Sequence, residues 1–305
     1  MSSRSALLAI AESPLIRGFF TKRGMSNPLV RRFVAGETLQ DALLVAKELQ
    51  DKGILAAIDV LGENAASSQE ADRATEMYLG VIKALSTFHH DAYLSIKLTA
   101  LGLDVQEAVA IMNLRRLLDE AKSRGGLFIC VDMESSAYTD RILDIVLSEH
   151  ESYPNIGTVI QAYLRRSDSD LRTLVDNEVP VRLVKGAYAE PPHIAYPKKK
   201  DVDSAYRRQM WVLLNEGVRP QIATHDEAMI HATKLYARQK NIPPSRFEFQ
   251  MLLGIRRDLQ ESLVKEGYKV RVYVPFGQSW YPYFTRRLAE RPANFGFFLK
   301  NVARR

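Results

Sequence analysis

The chain has 305 residues, 46% of them hydrophobic and 26% charged, a composition that buries a sizeable core and excludes a disordered or collagen-like chain. Its formal net charge of +6 and pI of about 9.3 are too mild for a dedicated nucleic-acid binder and fit an anionic ligand or weak attraction to an anionic membrane surface. The single cysteine, Cys130, excludes an intrachain disulfide and points to a reducing compartment.

Residues 1–36 read as an N-terminal helical arm, with Leu7, Leu8, Ile10, Leu15 and Ile16 as docking residues. The Arg- and Ser-rich start also fits an organelle transit peptide, and a secretory signal is not expected, because the short apolar stretch is soon broken by Glu12. No run is long and apolar enough to span a membrane. From residue 37 to 305 the pattern is regular. "TLQDALLVAKELQDKG" predicts an amphipathic helix that Thr38 caps and Gly53 ends. "ILAAIDVLG" follows as a strand, then a helix over "SSQEADRATEMYLGVIKALSTF" capped at or near Ser68. The strands "YLSIKLTAL", "LFICVDMES", "IGTVIQAYL" and "VRLVKGAY" alternate with helices over "VQEAVAIMNLRRLLDEAKSRGG", "TDRILDIVLSEHE" (Thr139 as cap) and "SDSDLRTLVDN". "EPPHIAYPKKKD", residues 190–201, reads as an active-site loop. Beyond it, a helix over "DSAYRRQMWVLLNEG" leads to the strands "PQIATH", "FEFQMLLG" and "VRVYVPFG". These are followed in turn by helices over "DEAMIHATKLYARQK", "RRDLQESLVKEG" and "YPYFTRRLAER".

Strands that read as continuous apolar runs belong to parallel sheets covered on both faces. Eight of them in strict alternation with helices predict an α/β fold closed as a (β/α)8 barrel, with a doubly wound open sheet as the alternative. In a barrel, chemistry sits at the C-terminal strand ends, and every strand here carries polar residues near that end. They are Asp59 with Glu63 and Asn64, Lys97 with Thr99, Asp132 with Glu134, and Gln161 with Tyr163. The second half of the barrel adds Arg182 with Lys185 and Tyr188, Thr224 with His225, Glu248 with Gln250, and Arg271 with Tyr273. Lys97 and Asp132 lie on neighbouring strands, so an ion pair is expected between them. Lys97 or Lys185 could instead be a Schiff-base nucleophile, which would make the chain a barrel aldolase. In the last helix Arg286 and Arg287 follow an aromatic run, Trp280, Tyr281, Tyr283 and Phe284, which suits a small organic anion gripped by a guanidinium fork. No Walker A, G-x-G-x-x-G or G-x-S-x-G motif is present and no Cys/His set has zinc spacing, so no metal is expected; His89 and His90 read as surface residues. Within "VRLVKGAY", Arg182 and Lys185 fall on opposite faces by the period of two, so the strand must twist or end near Gly186, or one of the two points out of the barrel lumen.

"SIKLT", "VDMES", "QAYLRRS", "RLVKGAY", "ATHD", "FEFQMLLG", "VRVYVPFG" and "YPYFTRRLAERPAN", in this order, resemble the proline dehydrogenase family over about residues 54 to 300. The compact length resembles the monofunctional bacterial form. The resemblance implies a distorted barrel with its last helix over the mouth, bound FAD, and oxidation of L-proline to Δ1-pyrroline-5-carboxylate by hydride transfer to the flavin. Electrons would go to a membrane quinone and the product to a separate pyrroline-5-carboxylate dehydrogenase. That setting is cytoplasmic, peripheral on the inner membrane face, without nucleic acid and with the oligomeric state open. Carried over by position, Arg286 and Arg287 bind the substrate carboxylate, Lys97 borders the substrate with Asp132 behind it, and Leu183, Tyr188 and Tyr273 shape the pocket. Glu290 orients the arginines. Met133, Gln161, Arg182, Val184, Lys185, Gly186, Ala187, Thr224 and His225 match FAD contacts. Among these, Lys185 is implied at the pyrophosphate and Arg182, with Asp132 a catalytic group, at the isoalloxazine.

Overall fold

The computed structural model describes residues 24–88 and 91–289. The docking leucines and isoleucines of the arm, His89, His90 and Glu290 lie outside the described residues.

Eight strands form one closed sheet in chain order. They are β1 (Leu55–Val60), β2 (Tyr93–Ile96), β3 (Ile129–Val131), β4 (Ile156–Gln161), β5 (Val181–Val184), β6 (Gln221–Ala223), β7 (Glu248–Leu252) and β8 (Lys269–Phe276). All pairings are parallel, and closure is made by β1, where Ala57 pairs with both Tyr93 and Tyr273. Closure leaves no sheet edge, so the open-sheet alternative is excluded.

A short helix, α1 (Pro28–Arg31), and α2 (Leu39–Gln50) precede the barrel. The connecting helices are α3 (Ser68–Ser86), α4 (Glu107–Ser123), α5 (Thr139–His150), α6 (Ser167–Asp176), α7 (Lys199–Glu216), α8 (Glu227–Gln239) and α9 (Arg257–Lys265), and α10 (Trp280–Ala289) comes last. Local chemistry starts several of them where the sequence predicts. Thr38 and Asp41 form a reciprocal capping box on α2, and Ser67, one residue before the expected Ser68, caps α3. Thr139 does not cap α5. It is the first helical residue, with a buried side chain, because a 3-10 turn over Ser136–Tyr138 leads directly into the helix. Of the lysine run expected in a loop, Lys198 is the N-cap of α7 and Lys199 and Lys200 form its first turn.

The main core lies between barrel and helices and takes up residues such as Ile58, Leu94, Ile129, Ile160, Leu183 and Phe249. A second core joins the N-terminal segment to the last helix: Val30, Phe33 and Val34 pack with Trp280, Tyr283, Phe284 and Leu288. That contact docks α10 across the C-terminal ends of the strands. Inside the barrel, the N-terminal end is closed by polar groups. Arg271 is fully buried and donates to Glu248 (2.8 and 3.0 Å), to the Ala56 and Asp91 carbonyls, and to the Asp91 carboxylate (3.1 Å). Glu248 and Arg271, which the sequence suggests for the mouth, therefore belong to the opposite end, because each sits at or near the start of its strand. Cys130 is a buried free thiol aligned with Ser95 on the lumen face, and burial pushes it up to about 12.

Candidate active site

The lumen opens at the C-terminal strand ends into a cavity of about 630 Å³, lined by residues of six strands, by the residues just past β2 and β3, and by α10. This volume is typical of a small-molecule or cofactor site. Strand parity decides who reaches it. Arg182 and Val184 line the cavity, whereas Leu183 between them turns outward into the helical core. The expected pocket role of Leu183 is therefore corrected: on an extended strand it cannot share a face with both neighbours.

Asp132 is the hub of the floor. Its Oδ1 accepts from Arg182 Nη1 at 2.7 Å and from Ser95 Oγ at 2.8 Å, and its Oδ2 accepts from Tyr273 OH at 2.6 Å. The expected pair with Lys97 is present but secondary, at 3.6 Å; Lys97 Nζ is held by Asp59 Oδ1 at 2.7 Å. Asp59 ends up there because the closing strand β1 lies beside β2, a neighbour that sequence order alone does not rank above β3. Burial opposes charge throughout. Even so, Arg182 and Lys97 hold the Asp132 carboxyl below its usual range, and Asp59 and Asp132 hold Lys97 well above its own. Asp59 goes the other way: burial outweighs Lys97 and raises it. A lysine paired at 2.7 Å with a carboxylate and held as ammonium is the reverse of what a Schiff-base nucleophile needs, which counts against the aldolase reading of Lys97.

At the far side of the cavity, β5 ends at Val184 and the chain turns at Gly186, with φ +108°. This resolves the parity of Arg182 and Lys185: Lys185 lies beyond the strand and reaches the same cavity. Its Nζ is 2.5 Å from Asp203 and 2.6 Å from Asp226, and Lys199 completes a square of alternating charges across α7 and the start of α8. Burial raises Asp226, but Lys185, with Lys199 and the Ala228 N–H, more than reverses this and brings it to about 2. His225 Nε2 accepts the Leu252 N–H at 2.9 Å, which makes Nδ1 the protonated nitrogen of a neutral ring. A Cβ on Gly186 would run into the Tyr163 ring. Gly186→Ala is accordingly expected to cost about 2–4 kcal/mol, from the left-handed backbone and the overlap together. The check is a lowered urea midpoint at unchanged slope.

Of the residues singled out from sequence, Met133, Gln161, Ala187, Tyr188, Thr224, Tyr273, Arg286 and Arg287 also line the cavity. Burial pushes the Tyr188 hydroxyl up to about 12, so it is a neutral donor. Arg286 pairs with Glu63 at 3.0 Å, and the Arg287 guanidinium lies 5.3 Å from the Tyr283 ring centroid. Adjacent arginines both reach the cavity because α10 crosses over the mouth rather than beside it. Site residues that the sequence reading did not assign are Asp59, Glu63, Glu134, Asp226 and Gln250. Four of these stand among the polar strand ends; Asp226 reads locally only as the N-cap of α8, whose side chain accepts from the Ala228 N–H, and its pairing with Lys185 is set by the fold. Glu134 is held by the Thr99 hydroxyl (2.6 Å) and N–H (3.2 Å), and burial raises it. Among the described residues no group of three or more His, Cys, Asp or Glu is arranged to hold a metal ion.

Residues 42–300 match the proline dehydrogenase family. The chain is 42% identical to proline dehydrogenase 1 of Bacillus subtilis subsp. natto, across 90% of this chain and 91% of that one. It is 40% identical to the proline dehydrogenase of Deinococcus radiodurans, across 98% and 97%. Among solved structures, it is similar to proline utilization A (PutA) from Bdellovibrio bacteriovorus inactivated by N-propargylglycine, with TM-score 0.81 and 28% identity. That similarity covers 90% of this chain and 33% of the PutA chain, so the present chain spans about a third of PutA's length.

Proposed function

The chain belongs to the proline dehydrogenase family, and from this premise we propose how its cavity oxidises L-proline. The observation that carries the reading is the meeting of Arg286, Arg287 and Lys97 with Tyr188 and Tyr273 around one cavity. Arg286 and Arg287 take the substrate carboxylate, a role suited to planar forks. Lys97, kept charged by Asp59 and Asp132, adds a third positive group. Tyr273, tied to Asp132, and Tyr188 wall the five-membered ring and keep water out. The substrate carboxylate has to share Arg286 with Glu63, or displace it.

FAD is the cofactor of this reading, and the chemistry it supplies when bound is acceptance of a hydride from proline C5, giving Δ1-pyrroline-5-carboxylate. Support comes from two buried polar atoms of cavity-lining residues, Arg182 Nε and Asp59 Oδ2, which have no hydrogen-bond partner. Further support is the open backbone at Gly186 and Ala187. Arg182 offers fixed positive charge to the flavin ring. Lys185, with one of its three N–H donors beyond those used by Asp203 and Asp226, serves the diphosphate. Met133, Gln161, Val184, Gly186, Ala187, Thr224 and His225 complete the wall. Electrons then pass to a membrane quinone, with the enzyme peripheral on the inner face of the membrane, and the product passes to a separate pyrroline-5-carboxylate dehydrogenase. Among the described residues no helix is long and apolar enough to cross a membrane.

The test is spectroscopic. The purified, FAD-reconstituted protein should absorb as a flavoprotein and be bleached by L-proline without oxygen; a colourless or unresponsive protein overturns the reading. Lys185→Met should weaken FAD retention by about tenfold or more, since a charge-assisted bond is lost. The KM for proline in the holoenzyme fraction should not change.

A further inference from the structure

The polar plug at the closed end of the barrel and the floor of the cavity meet at Tyr93. Arg182 Nη1 is committed to Asp132, and its Nη2 donates to Tyr93 OH at 2.9 Å and to Ser95 Oγ at 3.2 Å. The phenol oxygen donates to Gln221 Oε1 at 2.8 Å and accepts from Gln250 Nε2 at 2.8 Å. Gln250 Nε2 shares its two N–H donors among Tyr93 OH, Gln221 Oε1 and Glu248 Oε1, so what holds the phenol firmly is its own proton on Gln221, and it cannot swing away from Arg182 without losing that bond as well. The ring is wedged as well: Tyr93 is fully buried, with the Arg271 guanidinium 4.3 Å and the Arg219 guanidinium 5.6 Å from its centroid. Phe128 meets it edge-on at 5.1 Å. Gln221 is tied to the same plug, since Gln250 Nε2 also lies 2.6 Å from its Oε1.

We infer that Tyr93 is a positioning residue: its hydroxyl, anchored from below through its proton on Gln221, holds the Arg182 guanidinium in place at the cavity floor. The inference rests on the proposal that Arg182 faces the flavin. A guanidinium with several rotatable bonds would otherwise fold down onto Asp132 alone, and the positive charge beside the cofactor would move.

The test uses the FAD-loaded enzyme and Tyr93→Phe, which removes one oxygen and keeps the packing. The expected result is a fall in kcat of about three- to tenfold with KM for proline within about twofold, the size of one hydrogen bond. Sulfite affinity of the bound flavin reads positive charge beside the ring and should weaken in the same proportion, which a purely structural role would not produce. In an Arg182→Met background Tyr93→Phe should add nothing further. Fully additive losses, or an unchanged sulfite affinity in Tyr93→Phe while Arg182→Met weakens it, overturn the proposal. An unchanged sulfite affinity in Arg182→Met instead overturns the placement of Arg182 beside the flavin, and the proposal with it. Should Tyr93→Phe not fold, Gln221→Met removes the acceptor that orients the hydroxyl and lies outside the cavity wall. A weakened sulfite affinity in that variant supports the inference and an unchanged one overturns it.

Discussion

Arg287→Met is expected to keep its flavin and lose about ten- to a hundredfold in kcat/KM for L-proline. A charge-assisted hydrogen bond to a carboxylate contributes about 1.5–3 kcal/mol, and each 1.4 kcal/mol is a factor of ten. Arg287 lines the cavity from α10 and its guanidinium lies against Tyr283, so the side chain is already oriented before substrate arrives. Arg287→Lys should recover only part of the loss, because lysine keeps the charge and not the planar fork. Steady-state kinetics with flavin content measured on the same sample separates this from cofactor loss. Lys185→Met should show the opposite pattern. If Arg287→Met purified colourless and Lys185→Met lost only proline affinity, the assignment of substrate and cofactor ends would be reversed.

Arg271→Met should produce the largest stability loss, about 3–5 kcal/mol, the usual cost of stripping one partner from a buried ion pair. Both partners lie out of solvent, Arg271 entirely and Glu248 all but a few per cent. In the native protein burial favours a neutral Glu248, yet Arg271 outweighs it and holds the carboxyl below its usual range. The sign of the pH dependence follows. With a depressed folded pKa, the pair's contribution is present above the unfolded carboxyl value of about 4.3 and is lost as pH falls through the folded value. Without Arg271, burial is opposed only by Arg219 and the Gln250 hydrogen bond, so the Glu248 pKa rises and protonation relieves the undercompensated charge. The gap between native protein and variant should therefore narrow from about pH 7 toward about pH 4, as measured by urea unfolding at each pH. A gap that widened on acidification would show that Glu248 is not the group left exposed to the penalty. Replacing both residues by well-packed apolar ones should restore much of the loss.

By itself the sequence determined the element pattern and named many of the polar residues that line the mouth. Apolar runs such as "LAAIDV" and "VRLV", too short for helices and separated by amphipathic segments, can be satisfied only as strands covered on both faces. Gly186 and the paired arginines of "YFTRR" were legible because their residue types admit few other uses at those places. Local capping chemistry was legible at Thr38, where side chain and backbone sit within one turn, and failed at Thr139, where a preceding 3-10 turn took over the start of the helix.

Only the tertiary structure decided the pairings. Lys97 prefers Asp59 over Asp132 because of how the barrel closes and which carboxylate the lumen geometry brings within 2.7 Å. Leu183 faces outward and Arg182 inward because the phase of a strand is set by its neighbours, and one residue of shift exchanges the two faces. Glu248 and Arg271 belong to the closed end because a polar residue's depth in a barrel depends on stagger between strands, which no single strand records. Tyr93 reads as one more apolar-run aromatic, and only the convergence of β2, β5, β6 and β7 on its hydroxyl turns it into the support of Arg182. Charge compensation over tens of residues is a property of closure, since a buried ion takes whichever opposite charge the completed fold brings nearest.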